Sequence, residues 1–176
     1  MKQKMKTPLI VIVGRPNVGK STLLNRLLGE KISITSQKPQ TSRNRILGVL
    51  HRPGAQLVFI DTPGIFKAKD TLNLRIVDTA LAAIDEADLI LFVLDAAHPD
   101  PTSEYFLAKR LQKQERPVIV ALNKIDQVKK TELLAVIQKW STEYYFEVII
   151  PISIYISHSR NCMTSFTSLT NKRHIG

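Results

Sequence analysis

Gly14-Arg15-Pro16-Asn17-Val18-Gly19-Lys20-Ser21 follows directly on a β-branched run, Leu9–Val13, and opens an amphipathic stretch, Ser21–Leu28, that Gly29 stops. Two glycines with four residues between them, then Lys-Ser, make a phosphate-binding loop when a strand precedes them and a helix follows. Glycine lets main-chain N–H groups turn inward around an anion, and the helix amino end adds a favourable dipole. Lys20 supplies a point charge to β- and γ-phosphates, Ser21 offers a hydroxyl to Mg²⁺, and Thr22 can reach an α-phosphate. Arg15, Pro16, Asn17 and Val18 carry the loop between its glycines. With glycine near 7% of residues, the pattern arises by chance in such a chain on the order of one time in a hundred.

Outward from this loop, apolar runs alternate with helical patterns, the signature of βα units around a mostly parallel sheet. Further strands are expected at Arg45–His51 and Gln56–Asp61, joined across Arg52-Pro53-Gly54-Ala55, and at Leu89–Leu94, Val118–Leu122 and Val148–Ile152. Helices are expected at Leu74–Ile84 and Ser103–Gln114, and a third shows Leu133, Leu134, Val136, Ile137 and Trp140 on one face. Trp140 thereby reads as core. The predicted fold is α/β: a P-loop NTPase three-layer fold, with a mostly parallel six-stranded sheet and helices on both faces.

Three more segments complete a pocket. Asp61 ends the apolar run Leu57–Ile60, which points its carboxylate at the phosphate end of the sheet, where it would hold Mg²⁺ through a water. Thr62, Pro63 and Gly64 follow, and the Gly64 N–H can bond a γ-phosphate and release the next loop on hydrolysis. Between these motifs the polar loop Gln37–Arg43 holds Thr41 and Ser42, either of which can complete the Mg²⁺ shell; spacing does not choose between them. Asn123-Lys124-Ile125-Asp126 follows the strand Val118–Leu122. Asp126 can accept from guanine N1–H and its exocyclic amine, whereas adenine would leave a desolvated carboxylate unpaired. Asn123 can bond the base or tie loops together, and the Lys124 stem can lie along a ring face. Pro151-Ile152-Ser153 closes over the base, with Ile154 beside it. The set names GTP and GDP as ligands and disfavours ATP.

The 176 residues suffice for one well-buried domain, and 44% hydrophobic with 23% charged residues is ordinary for a soluble protein. Apolar runs are too short to cross a bilayer, so a cytoplasmic protein is expected. Cys162 is the single cysteine, which excludes an internal disulfide. The net charge of +10 is uneven. Lys2, Lys4 and Lys6 make a basic arm over residues 1–7, and Arg160, Lys172 and Arg173 lie in an acid-free end. Residues 31–52 carry Lys31, Lys38, Arg43, Arg45 and Arg52 with no acid. Such a segment suits RNA or an anionic membrane surface; it equally suits a solvated loop and edge strand.

Gly14–Asn25, Lys38–Arg43, Asp61–Ile65 and Asn123–Asp126 together resemble the Era family of bacterial GTPases, over about residues 8–153. The resemblance implies a GTP-hydrolysing switch that assists assembly of the small ribosomal subunit and binds its 16S RNA, sometimes peripherally at the inner membrane face. A monomer is expected. It assigns Asn17 to potassium binding, so K⁺ joins Mg²⁺ as an expected cofactor. It also places hydrophobic Ile65 where other GTPases put a water-orienting glutamine. Lys20, Asn17, Thr41, Ser42 and Gly64 form the expected catalytic set. Three departures stand out: Ser42 replaces a usual threonine, Ser153-Ile154-Tyr155 replaces a usual Ser-Ala pair, and the K-homology domain of the family does not follow. Residues 154–176 hold no acid and only a faint apolar face, so they read as a disordered tail or as a truncated or frame-shifted end. Alternatives to the switch are a non-catalytic nucleotide-binding fragment and an RNA-binding module using residues 31–52.

Overall fold

An uninterrupted run of apolar residues is what a strand covered on both faces requires. In the computed structural model, which describes residues 7–29, 46–52, 55–62, 82 and 84–154, two such runs become the central strands β1 (Leu9–Val13) and β4 (Leu89–Asp95). Between them in sequence come α1 (Lys20–Leu28), β2 (Ile46–Arg52) and β3 (Ala55–Asp61). After them come α2 (Pro101–Gln112), β5 (Val118–Asn123), a single 3₁₀ turn at Ile125–Gln127, α3 (Lys130–Glu143) and β6 (Val148–Pro151). The six strands form one sheet in the order β2-β3-β1-β4-β5-β6, parallel except for the β2–β3 pair.

β1 sits between β3 and β4, so successive connections leave it toward opposite edges of the sheet. That is a topological switch point, and the crevice beyond the carboxyl ends of such strands is where α/β sheets bind ligands. The loop after β1 and the turn after β5 both open into it.

The period-2 alternation of β1 feeds two cores. Ile10 and Ile12 pack with Phe59 against Leu23, Leu24, Leu27 and Leu28 of α1. Val11 and Val13 face the other way, with Phe92 and Leu94, against Leu107, Ala108 and Leu111 of α2 and Trp140 of α3. Helices therefore cover both faces, as the sequence predicts. Full burial of side chains of this size stabilises the fold by about 1.5–3 kcal/mol each. Trp140 is core, its ring meeting Phe92 edge-on at 6.2 Å.

Two expectations are corrected. Leu134 is 57% exposed and does not share the buried face. It lies about 100° around the helix from Leu133, off the stripe of Leu133, Val136, Ile137 and Trp140. The second helix starts at Pro101 and ends at Gln112, rather than spanning Ser103–Gln114. Asp100 caps it, its Oδ1 accepting from the Ser103 N–H at 3.3 Å, and proline at the first helical position loses no needed donor.

The arm at residues 1–6, the basic run from Lys31 to Arg45 with Thr41 and Ser42, and Pro63, Gly64 and Ile65 lie outside the described residues. So do the helix expected over Leu74–Ile84 apart from Ala82 and Ile84, Pro53 and Gly54 of the β2–β3 turn, and residues 155–176 with Cys162. Among the described residues, no helix is long and apolar enough to cross a membrane.

Candidate functional site: a cleft at the carboxyl ends of β1, β4 and β5

The phosphate loop takes a backbone path that only glycine accommodates at two points. Gly14 has φ +152°, and a Cβ there would stand 2.5 Å from the Val93 carbonyl oxygen. Gly19 has φ +101° and precedes α1; a Cβ there would meet the Asn123 carboxamide at 2.5 Å. Asn17, at φ 63°, takes a left-handed conformation that asparagine tolerates. α1 has no side-chain cap and no acid in its first turn, an amino end suited to an anion. Lys20 is buried, and its Nζ donates to the Gly14 carbonyl at 3.0 Å and the Arg15 carbonyl at 2.9 Å. The ammonium is thus held at the loop it would serve. Ser21 and Thr22 are exposed on the first turn beside it.

The turn expected from the sequence to read a base comes off the end of β5. Asn123 is 1% exposed, and of the two roles open to it the structure displays the bonds that tie loops together. Its Nδ2 donates to the Val18 carbonyl at 2.9 Å, and its Oδ1 accepts from the Ile154 N–H at 3.4 Å. Lys124, with φ 64°, turns the chain so that the Ile125–Gln127 turn presents Asp126 in the open. The Ser153 hydroxyl donates to Asp126 Oδ1 at 2.5 Å and orients the carboxylate. Ile154, the first residue of the expected tail, is buried, and its Cδ1 lies against Gly19.

These segments enclose a cleft of about 360 Å³, with Asn17, Gly19, Lys20, Ser21 and Thr22 on one side and Asn123, Lys124 and Ile154 on the other. Asp61 ends β3 opposite Ile12 of β1, which brings its backbone to the same end of the sheet. Thr62 is buried and its hydroxyl donates to the Ile12 carbonyl at 2.8 Å. Arg15 donates to Glu104 Oε1 at 3.2 Å and to the His98 carbonyl. Pro16 is exposed on the loop and Val18 is wholly buried beneath it. The hard oxygen donor expected from Ser21 suits Mg²⁺.

Sequence reasoning missed Asp95 and Glu104. Asp95 closes β4 and is 4% exposed, pairing with Lys124 Nζ at 2.6 Å. Burial alone would raise its pKa, but bonds from Lys124 and from the Ala97 and His98 amides outweigh this and hold the carboxyl below its ordinary value. Burial pushes Glu104 up, against the pull of Arg15. An acid closing an apolar strand, the feature that singled out Asp61, was present at Asp95 too.

A family of 50S ribosome-binding GTPases matches residues 9–124. GTPase Era of Geobacter sp. (strain M21) is 53% identical over 152 residues, which is 86% of this chain and 51% of that protein. GTPase Era of Lacticaseibacillus paracasei is 41% identical over 167 residues, 95% of this chain and 55% of the relative. The chain thus spans about half the length of the curated relatives it matches. Among solved structures, Era in complex with MgGDPNP and nucleotides 1506–1542 of 16S ribosomal RNA superposes with a TM-score of 0.74 at 40% identity, covering 93% of this chain and 56% of that one. The G domain of the T. maritima FeoB iron transporter gives 0.62 at 26% identity, covering 84% of this chain and 88% of that one. Loop, turn and likeness agree, and the chain belongs to the 50S ribosome-binding GTPase family, with a G domain of the Era type.

Proposed function

We propose that this domain binds GTP and GDP with Mg²⁺ and hydrolyses GTP slowly to GDP and phosphate. The observation that carries the reading is the joining of two distant motifs into one cleft: Asn123 bonds Val18, and Lys124 donates to the Asn17 carbonyl at 3.1 Å. A phosphate cradle and a purine-reading carboxylate are thereby fixed at one spacing. The Gly14–Ser21 backbone and Lys20 would hold the phosphates and offset their charge, Asp126 would read the base, and Ser153 would keep it aligned. The Ile154 N–H, bonded to Asn123 Oδ1 at 3.4 Å, would have to exchange that acceptor for guanine O6. Ser21, Asp61 and either Thr41 or Ser42 would hold Mg²⁺, which supplies charge neutralisation across the β- and γ-phosphates. Catalysis on this reading is positional and electrostatic, and Gly64 would sense the γ-phosphate. Slow turnover is expected because Ile65 takes a position that elsewhere carries glutamine. Single-turnover hydrolysis of GTP tests this, with Lys20→Ala as control; a wild-type rate no faster than the control would contradict it.

The wider role we infer is that of an Era-type switch acting on small-subunit ribosomal RNA, supported by the Era structure solved with 16S nucleotides and by the net charge of +10. RNA binding by this chain that fails to weaken with salt would count against it. Asn17 would make hydrolysis potassium-stimulated, and equal rates in sodium and potassium would remove that assignment.

A further inference from the structure

Nothing in the nucleotide reading requires Asp95, yet both its carboxylate oxygens are engaged. β4 ends at Asp95 in register with Asn123 at the end of β5, so the acid stands beside the base-reading turn. Its Oδ1 accepts the N–H groups of Ala97 and His98, each at 3.0 Å, which folds the β4–α2 loop back on the strand end. Its Oδ2 accepts from Lys124 Nζ, and that ammonium also donates to the Asn17 carbonyl in the phosphate loop. A lysine head on a flexible stem samples many rotamers. Here two acceptors from separate segments fix it, and the stem is held along the cleft wall.

The same β4–α2 segment grips the phosphate loop a second time. Arg15 donates to Glu104, which is 5% exposed, and to the His98 carbonyl. One segment therefore reaches the phosphate loop through Arg15 and the base-reading turn through Lys124. A buried ion pair is poor evidence for stability, because the desolvation of both charges offsets most of their attraction. Its value here is geometric.

We propose that Asp95 is a positioning residue for nucleotide retention, holding Lys124 against the Asn17 carbonyl so that the β4–α2 segment braces the cleft from behind its lining. The proposal rests on the guanine-nucleotide reading given above.

Dissociation of a fluorescent GDP tests it. Asp95→Asn keeps an acceptor for the Ala97 and His98 amides but removes the charge that Lys124 faces. GDP should leave about tenfold faster, while the same change made on a Lys124→Met background should alter the rate less than about twofold, as coupled residues require. A merely structural role would give additive effects, and additive effects overturn the proposal. So does an Asp95→Asn rate equal to wild type. Should Asp95→Asn not fold, amide exchange in the unaltered protein decides. GDP should slow exchange at Ala97 and His98, and unchanged exchange there in a protein that holds GDP overturns the proposal. A wild-type protein that holds no GDP would instead defeat the nucleotide reading, and the proposal with it.

Discussion

The phosphate loop and the turn proposed to read the base face one another across a single cleft but are built differently. The loop is local: Gly14 to Ser21 is one octapeptide, its lysine bonded to carbonyls five and six residues back. The turn is an assembly of distant parts. Asn123 reaches 105 residues back to Val18, Lys124 29 back to Asp95, and Ser153 27 back to Asp126. A backbone cradle braced from several sides tolerates the loss of any one neighbour better than a side-chain assembly does. A side-chain assembly depends on every strand end that feeds it. Damage to the loop should therefore abolish chemistry, and damage to the turn should alter selectivity and stability.

The largest effect is expected at Lys20. Lys20→Ala should lower the single-turnover rate of GTP hydrolysis by about a thousandfold, the order seen when a preorganised charge is lost from a reacting centre. A retained rate would erase the distinction between the two regions. Next comes Asp126→Asn. With its paired acceptors gone, GDP should bind about a hundredfold more weakly and a xanthine nucleotide should gain, read by competition against a fluorescent GDP. Hydrolysis of bound nucleotide should change little. A collapse of both would mean that the turn is not separable from the loop.

Asn123 belongs to both regions, so its loss measures their joint. Asn123→Ala removes the bonds to the Val18 carbonyl and the Ile154 N–H inside a buried site. The cost should be about 2 kcal/mol, lowering the melting temperature by about 4–8 °C even without nucleotide. An unchanged melting temperature would show that the two regions stand independently.

The smallest effect concerns Glu104, the loop's anchor on α2. Burial raises its folded-state pKa despite Arg15, so the native state keeps this proton to higher pH than the unfolded chain does. Its favourable contribution is present below the ordinary carboxylate range and is lost as pH rises through the raised value. Glu104→Gln retains an acceptor for Arg15 and removes that titration. Denaturant melts at pH 4 and pH 7 should show a smaller loss of stability on going to neutral pH, by under about 1 kcal/mol. An identical pH dependence would refute the buried-carboxyl account.

The same contrast explains what was legible in the sequence. The phosphate loop could be read whole because its chemistry lies in consecutive residues between a β-branched strand and a helix. Asp126 is proposed as the base reader because its tetrapeptide carries its own logic. Asn123 could not be assigned, since its partners are placed by strand order rather than by spacing. Glu104 is hidden for the same reason, since it meets Arg15 from 89 residues away, whereas Asp95 carries the strand-end signal of Asp61 but not the identity of its partner Lys124. The six strands were found within a residue or so, because continuous apolar runs bounded by charge or glycine leave little choice. The start of α2 was misplaced although Asp100-Pro101 is itself a helix-start signal. Leu134 departs from the expected stripe because it sits about 100° around the helix from Leu133, a rotation that adjacency in sequence hides.

Calorimetric titration of the folded protein with GDP and with ADP, both in Mg²⁺, tests the central claim most directly. The cleft geometry predicts tight binding of GDP and none detectable for ADP at the same concentrations. Equal affinity for the two, or no heat with either, would contradict it.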